Sequence, residues 1–267
     1  MLTAIQKQTV RTRFAGLQTD LHQRLLQLDK DAQQKTHTWD KDGGSGGGTS
    51  LVLRGEVIEK AGVNFSCVAG DAYPRLESEH HGKPYYATGV SSICHPANPH
   101  APIGHMNVRM LEVGDKVWFG GGADLTPYRI YEQDRDEFHQ ALRQACDSYS
   151  PTAYAEYTKW CDEYFFIKHR NTVRGVGGIF FDYLQNDFDT LLAFVCAVAE
   201  AYGRVYPQIL ARRLPLPYDS DDRDGLFYWR GRYVEFNLIY DRGTSFGLKT
   251  GGNVEAILVS LPPQVKW

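Results

Sequence analysis

His105, Asn107 and Arg109 stand at every second position of the run His105-Met106-Asn107-Val108-Arg109-Met110. In a β-strand, successive side chains point to opposite faces. This spacing therefore puts the three polar residues on one face and Met106, Val108 and Met110 on the other. The apolar face ties the strand to a core. The polar face offers a proton carrier that titrates near neutrality, an amide, and a fixed cation whose fork grips a carboxylate with two parallel hydrogen bonds. That set suits an anionic ligand. The same alternation also describes a half-exposed strand of an antiparallel sheet, so this run alone leaves both readings open.

Other segments carry similar groups. Ser91, Ile93 and His95 alternate onto one face of Tyr85 to His95, with His95 read as a hydrogen-bonded structural residue. Asp124 follows Gly120-Gly121-Gly122-Ala123, glycines that allow either close ligand approach or a plain bend, and the bend is expected. Read as a strand, Tyr233 to Arg242 puts Tyr233, Glu235, Asn237 and Asp241 on one parity. Asp241-Arg242-Gly243-Thr244 reads as a turn.

Several chemistries are disfavoured. There is no H-E-x-x-H or H-x-H spacing, no G-x-S-x-G elbow and no C-x-x-C pair. His139 fits a solvated helix face beside Asp136 and Arg143, and His169 a helix C-terminus. The glycines at 43, 44 and 46–48 lack the Lys-Ser/Thr ending of a phosphate loop and read as a flexible loop. Cys67, Cys94, Cys146, Cys161 and Cys196 are odd in number and widely spaced, as befits buried thiols in a reducing compartment. The formal net charge of -3 comes without a basic stripe, which argues against nucleic acid as a partner. No apolar run approaches the roughly 18 residues of a membrane helix.

These candidates need elements to hold them. Val10, Phe14, Leu17, Leu21, Leu25 and Leu28 recur in steps of three and four, which predicts an amphipathic helix over about 3–33 packed on the core. Lys7, Arg11 and Arg13 in an acid-free stretch faintly resemble a transit peptide, and the structural helix is preferred. Strands are predicted at 50–54, 63–68, 85–95, 105–113 and 116–119, with a hairpin at Gly114-Asp115. Helices follow at 132–147, 151–168 and 187–213. Strands return at 226–230, 233–240 and 245–249. Strands, then helices, then strands predict an α+β fold, a large mostly antiparallel sheet flanked by helices on both sides, in one domain over 1–267.

Eight segments carry a resemblance to a known family. They read AGVNFS (61–66), GVSSICHPANP (89–99), HMNVRM (105–110), WFGGGADLTPY (118–128), KWCDEYFFIKHRN (159–171), RGVGGIFFD (174–182), RGRYVEFNLIYDRGT (230–244) and FGLKTGG (246–252). Together they resemble the oxygen-dependent coproporphyrinogen oxidases. The resemblance implies a homodimer that decarboxylates two propionates of coproporphyrinogen III with O2, giving protoporphyrinogen IX, CO2 and hydrogen peroxide in haem synthesis. It implies no required cofactor, although some bacterial members are described as metal-dependent, with His95, His105, His139 and His169 as the corresponding histidines. It assigns His105 as proton donor, and Asp124, Asp241 and Arg242 as catalytic polar residues of the cleft. Ser91, Asn107, Val108, Arg109, Gly251, Gly252 and Asn253 match substrate-contacting positions.

Asn253 departs from an arginine common in bacterial relatives, and the chain stops at Trp267 where relatives continue for a short tail. A cytoplasmic enzyme is expected, with the mitochondrion as alternative. The rival readings are a non-haem metal oxidase and a non-catalytic tetrapyrrole binder.

Overall fold

The computed structural model describes residues 1–43, 45–74, 78–249 and 253–267. Helix α1 (Ala4–Leu26) opens with a capping box. The Thr3 hydroxyl accepts from the Gln6 amide, and the Gln6 side chain accepts from the Thr3 amide. Val10, Phe14, Leu21 and Leu25 are buried along one stripe. The helix ends at Leu26 rather than near 33, because Asp29 turns the chain. Its carboxylate accepts from the amides of Val57 and Ile58 at 3.0 and 2.8 Å.

Six strands then run as an antiparallel meander: β1 (Gln33–Asp40), β2 (Ser45–Arg54), β3 (Ile58–Gly70), β4 (Tyr85–Pro96), β5 (Ile103–Val113) and β6 (Lys116–Thr126). Helices α2 (Glu132–Asp147) and α3 (Ala153–Tyr164) follow. A small ribbon, β7 (Phe166–Ile167) and β8 (Thr172–Val173), encloses a 3₁₀ turn at Lys168–Arg170. Strand β9 (Gly177–Leu184) then pairs with β6, and the described residues form a seven-stranded sheet in the order β1-β2-β3-β4-β5-β6-β9. Helices α4 (Phe188–Arg213), α5 (Ser220–Ile239), α6 (Arg242–Lys249) and α7 (Val254–Leu258) complete the chain.

One face of the sheet is dry. Met106, Val108 and Met110 pack there with Phe14 and Leu21 of α1, Phe138 of α2, and Val195 and Tyr202 of α4. The other face is covered in part by the end of α3 and by α5 and α7. Ile93 and Ile103 pack against Tyr233 and Val259, and Phe180 packs against Phe165 and Phe236. The α+β architecture with helices on both sides is thus as expected.

Three stretches differ from the sequence reading. Leu226–Arg230 and Tyr233–Tyr240 are not strands but one helix, α5, begun by the Asp219 side chain accepting from the Asp222 amide at 2.9 Å. Among its buried residues, Leu226, Arg230, Tyr233, Val234 and Asn237 step by three and four, with Gly231 and Phe236 buried beside them. Aromatic and β-branched residues suggest a strand, and burial of this helical stripe overrides them. The stretch 245–249 is likewise not a strand but lies in helix α6. The glycine-rich segment is not a loop: Ser45 to Gly48 pair with β3 on one side, and with β1 from Gly47 on. Trp39 lies so close over Gly48 that a Cβ there would meet its ring at 2.4 Å. β1 was missed because its polar sequence lacks apolar alternation, and β9 because its apolar run is short.

Candidate active site

The register of β4, β5 and β6 aligns the candidate residues in rows. His105 pairs with Ile93 and Asp124, Asn107 with Ser91 and Gly122, and Arg109 with Gly89 and Gly120. The predicted alternation on β5 holds throughout: Met106, Val108 and Met110 are fully buried, while His105, Asn107 and Arg109 are half-buried on the opposite face. Those three line a cavity of about 680 Å³ together with Ser91, Asn64 and Ser66 of the sheet, Tyr164 and Phe165 of α3, and Asp241 and Arg242 at the start of α6. That volume lies in the range of sites for sizeable organic ligands. Gly120, Gly121 and Gly122 make no bend. They lie inside β6 and pair residue by residue with β5, and Gly120 leaves the space that the neighbouring ion pair fills.

Behind His105 lies a buried chain of polar groups. His105 Nδ1 is 2.8 Å from Asp124 Oδ1. Arg174 Nη2 donates to Asp124 Oδ2 at 2.6 Å, and Arg174 Nη1 donates to Asn237 Oδ1 at 3.0 Å. Burial alone would push the Asp124 carboxyl up. The charge of Arg174 and then the hydrogen bond from His105 outweigh it, and Asp124 stays below its usual value. An ionised carboxylate only accepts, so the hydrogen of His105 sits on Nδ1 and Nε2 is free to exchange a proton within the cavity. Asp124 itself does not line the cavity. The guanidinium of Arg174 lies 3.9 Å from the Phe165 ring centroid and 4.8 Å from that of Tyr233, an aromatic cage that holds a fully buried cation.

Two further arginines face the cavity. Arg109 donates to Asn107 Oδ1 at 2.8 Å and pairs with Asp182 at 2.8 Å. The Arg242 guanidinium sits 4.9 Å from the centroid of the Tyr164 ring. The Tyr164 hydroxyl donates to Asp241 Oδ1 at 2.9 Å and accepts from the Arg242 amide at 3.2 Å. Asp241 Oδ2 accepts from the Thr244 amide at 2.6 Å, which makes Asp241 the cap of α6 as well as part of the cavity wall. Tyr164 is itself held flat on Phe180, rings 4.1 Å apart, and burial pushes its hydroxyl up to about 12.

Other candidates lie elsewhere. Val108 turns its side chain into the core. Asn253 caps α7, accepting from the Ala256 amide at 2.9 Å. Gly251 and Gly252 lie outside the described residues. His95 is fully buried, with Nε2 2.9 Å from the Ser260 carbonyl. Burial and then the charge of Arg230 hold it neutral, well below its usual value. His139 places its ring nitrogens on the Tyr154 hydroxyl and the Val176 carbonyl, so its helix face is packed rather than solvated. His169 meets Tyr240 and Glu235. Glu235 is off the cavity, and hydrogen bonds from Arg170, working against burial, bring its carboxyl down to about 2. Among the described residues, no three His, Cys, Asp or Glu side chains are grouped as for a metal ion. The four histidines therefore do not share a centre.

Sequence reasoning missed Arg174, Asp182, Tyr164 and Asn64. Each stands inside a segment that carried the resemblance, but none has a neighbour in sequence that marks its role. Their partners come from strands and helices far along the chain. A family model described as coproporphyrinogen III oxidase matches residues 9–267.

Proposed function

The chain belongs to the coproporphyrinogen III oxidase family, and from that premise we propose that the β5 cavity carries out the aerobic reaction itself. Coproporphyrinogen III is the substrate, O2 the co-substrate, and protoporphyrinogen IX, CO2 and hydrogen peroxide the products. Each propionate loses CO2 and the equivalent of a hydride. O2 takes the electron pair and, with that hydrogen and a proton, leaves as hydrogen peroxide.

One observation carries the reading: a half-buried histidine, locked in one tautomer by Asp124, lines the same cavity as two arginines, Arg109 beside it on β5 and Arg242 at the start of α6. Arg109 and Arg242 hold propionate carboxylates by charge and orientation. Asp241, fixed by Tyr164 and Thr244, accepts from pyrrole N–H groups and raises ring electron density. Asp124 was the other candidate for that task. Its place behind the cavity wall suits it to orienting His105 instead. His105 Nε2 moves the proton that accompanies peroxide formation and loss of CO2.

The reading assigns no resident metal. Its support is that His139 and His169 commit both ring nitrogens to protein groups, and His95 commits Nε2 to Ser260. It also takes the chain as one catalytic unit of a homodimer in the cytoplasm, where free thiols persist; all five cysteines are unpaired. No helix among the described residues is long and apolar enough to cross a membrane.

The test is incubation of the purified chain with coproporphyrinogen III in air and, in parallel, without O2. Fluorescent protoporphyrin forms only in air. Ligand binding with no product under either condition would leave the chain as a tetrapyrrole binder.

A further inference from the structure

The pairing of β6 with β9 is broken at one place. Phe119 pairs with Leu184 and Gly121 with Phe181, so Asp182 and Tyr183 together oppose Gly120. This is a β-bulge, which bends a strand and re-aims its side chains, often beside active sites. Here it turns two consecutive side chains toward the cavity. Asp182 reaches Arg109, and Tyr183 stacks on Trp118 with ring centroids 5.7 Å apart. Tyr183 has φ of 54°, a left-handed conformation uncommon for a non-glycine residue, and its amide donates to Asp182 Oδ1 at 2.9 Å. The backbone thus spends strain to aim one carboxylate.

That carboxylate occupies a prepared slot. A Cβ on Gly120 would lie 2.4 Å from Asp182 Oδ1 and 3.0 Å from Arg109 Nη2. A Cβ on Gly89, on the other side of Arg109, would meet the Arg109 Cβ at 3.2 Å. The two cavity arginines therefore differ. Arg109 carries a built-in counter-charge, whereas among the described residues no carboxylate forms an ion pair with Arg242.

We propose that Asp182 is a specificity-determining residue, an internal carboxylate that neutralises Arg109 in the empty cavity and yields it to a ligand propionate. The inference rests on the reading of this cavity as the site of a propionate-bearing tetrapyrrole. A ligand carboxylate at Arg109 must compete with Asp182, so the grip there is weak and exchangeable. Once the propionate has left as CO2, Asp182 retakes the guanidinium and the vinyl product is released. Arg242 holds a carboxylate without such competition.

The test is fluorescence titration of the purified chain with coproporphyrin III, the stable oxidised tetracarboxylate, together with KM and kcat in the aerobic assay. Asp182→Asn keeps the shape and removes the charge. It tightens coproporphyrin binding about fivefold, lowers KM, and lowers kcat as product release slows. Asp182→Ser, neutral and smaller, moves all three in the same direction, which guards against a folding defect in either variant. In an Arg109→Gln background the Asp182→Asn change has no effect on binding.

Weaker or unchanged binding in both Asp182 variants, or a raised KM, overturns the inference, because a residue that merely holds Arg109 in place gives that sign. Failure of the unsubstituted chain to bind coproporphyrin overturns the site reading as well. Tighter binding by the variants with no aerobic turnover by the unsubstituted chain leaves the inference standing and removes the oxidase reading.

Discussion

Arg174 and Asp124 meet at 2.6 Å in a pocket where both side chains are almost wholly buried, and the pair stands directly behind His105. Two charges taken out of water need each other. The pair stabilises little as a unit, but either charge alone is costly.

Replacing Arg174 with Met should therefore destabilise the fold by about 3–5 kcal/mol, because Asp124 is left charged and unmatched. Urea unfolding measures the loss. Adding Asp124→Leu to Arg174→Met should recover much of the stability without recovering turnover. A single Met variant as stable as the parent would show that the pair is not buried as described.

Asp124→Asn keeps the shape but turns an acceptor into a group that can also donate. His105 then loses the partner that fixes its hydrogen on Nδ1. Turnover should fall about 10²- to 10⁴-fold, while coproporphyrin binding stays near normal because Asp124 does not line the cavity. Equal losses in binding and turnover would place Asp124 in ligand contact instead.

Tyr164→Phe removes the hydroxyl that joins Asp241 Oδ1 to the Arg242 amide. The ring still stacks on Phe180. Loss of about 1–2 kcal/mol of positioning corresponds to roughly a 5- to 30-fold drop in kcat/KM. An unchanged kcat/KM would remove Asp241 and Arg242 from the mechanism.

His95 is neutral in the folded chain, held there by burial and by the charge of Arg230. The unfolded chain takes up a proton near pH 6.5 and the folded chain resists. The stabilising effect of the neutral ring is complete above about 6.5 and is lost as pH falls below it, with a slope of up to about 1.4 kcal/mol per pH unit. Denaturant unfolding between pH 7 and 5 should show the fall, and His95→Gln, which keeps a donor for Ser260, should reduce it. Identical slopes in the two proteins would exclude His95 as the source.

Treatment with a strong chelator, followed by removal of the chelator and its metal, should leave aerobic turnover unchanged. Loss of activity that a single divalent metal restores would transfer the reaction to a metal centre and bring His105 Nε2 back as a ligand.

Much of the fold was legible because its signals are local. The 3.6-residue stripe of α1, the Gly114-Asp115 turn and the strict alternation from His105 to Met110 each lie within one element, and each is borne out. The pairing of β5 with its neighbours then set His105, Asn107 and Arg109 into one wall, as the alternation required. Where local preference and burial disagreed, burial prevailed. The aromatic run from Leu226 to Tyr240 favours a strand by composition, yet it folds as a helix because one helical face packs Tyr233 on Ile93 and Ile103 of the sheet and, a turn later, sets Asn237 to accept from buried Arg174.

By itself, the sequence determined which face of β5 is dry and which carries polar groups, since side-chain direction in a strand follows from backbone geometry alone. Only the tertiary structure decided the partners: Asp124 and Arg174 behind His105, Asp182 against Arg109, Tyr164 under Asp241. The pairs span from 19 to 77 positions of chain. No residue type announces such a neighbour. Burial of the sheet face and the bulge opposite Gly120 bring the groups together, and both exist only once the strands have paired.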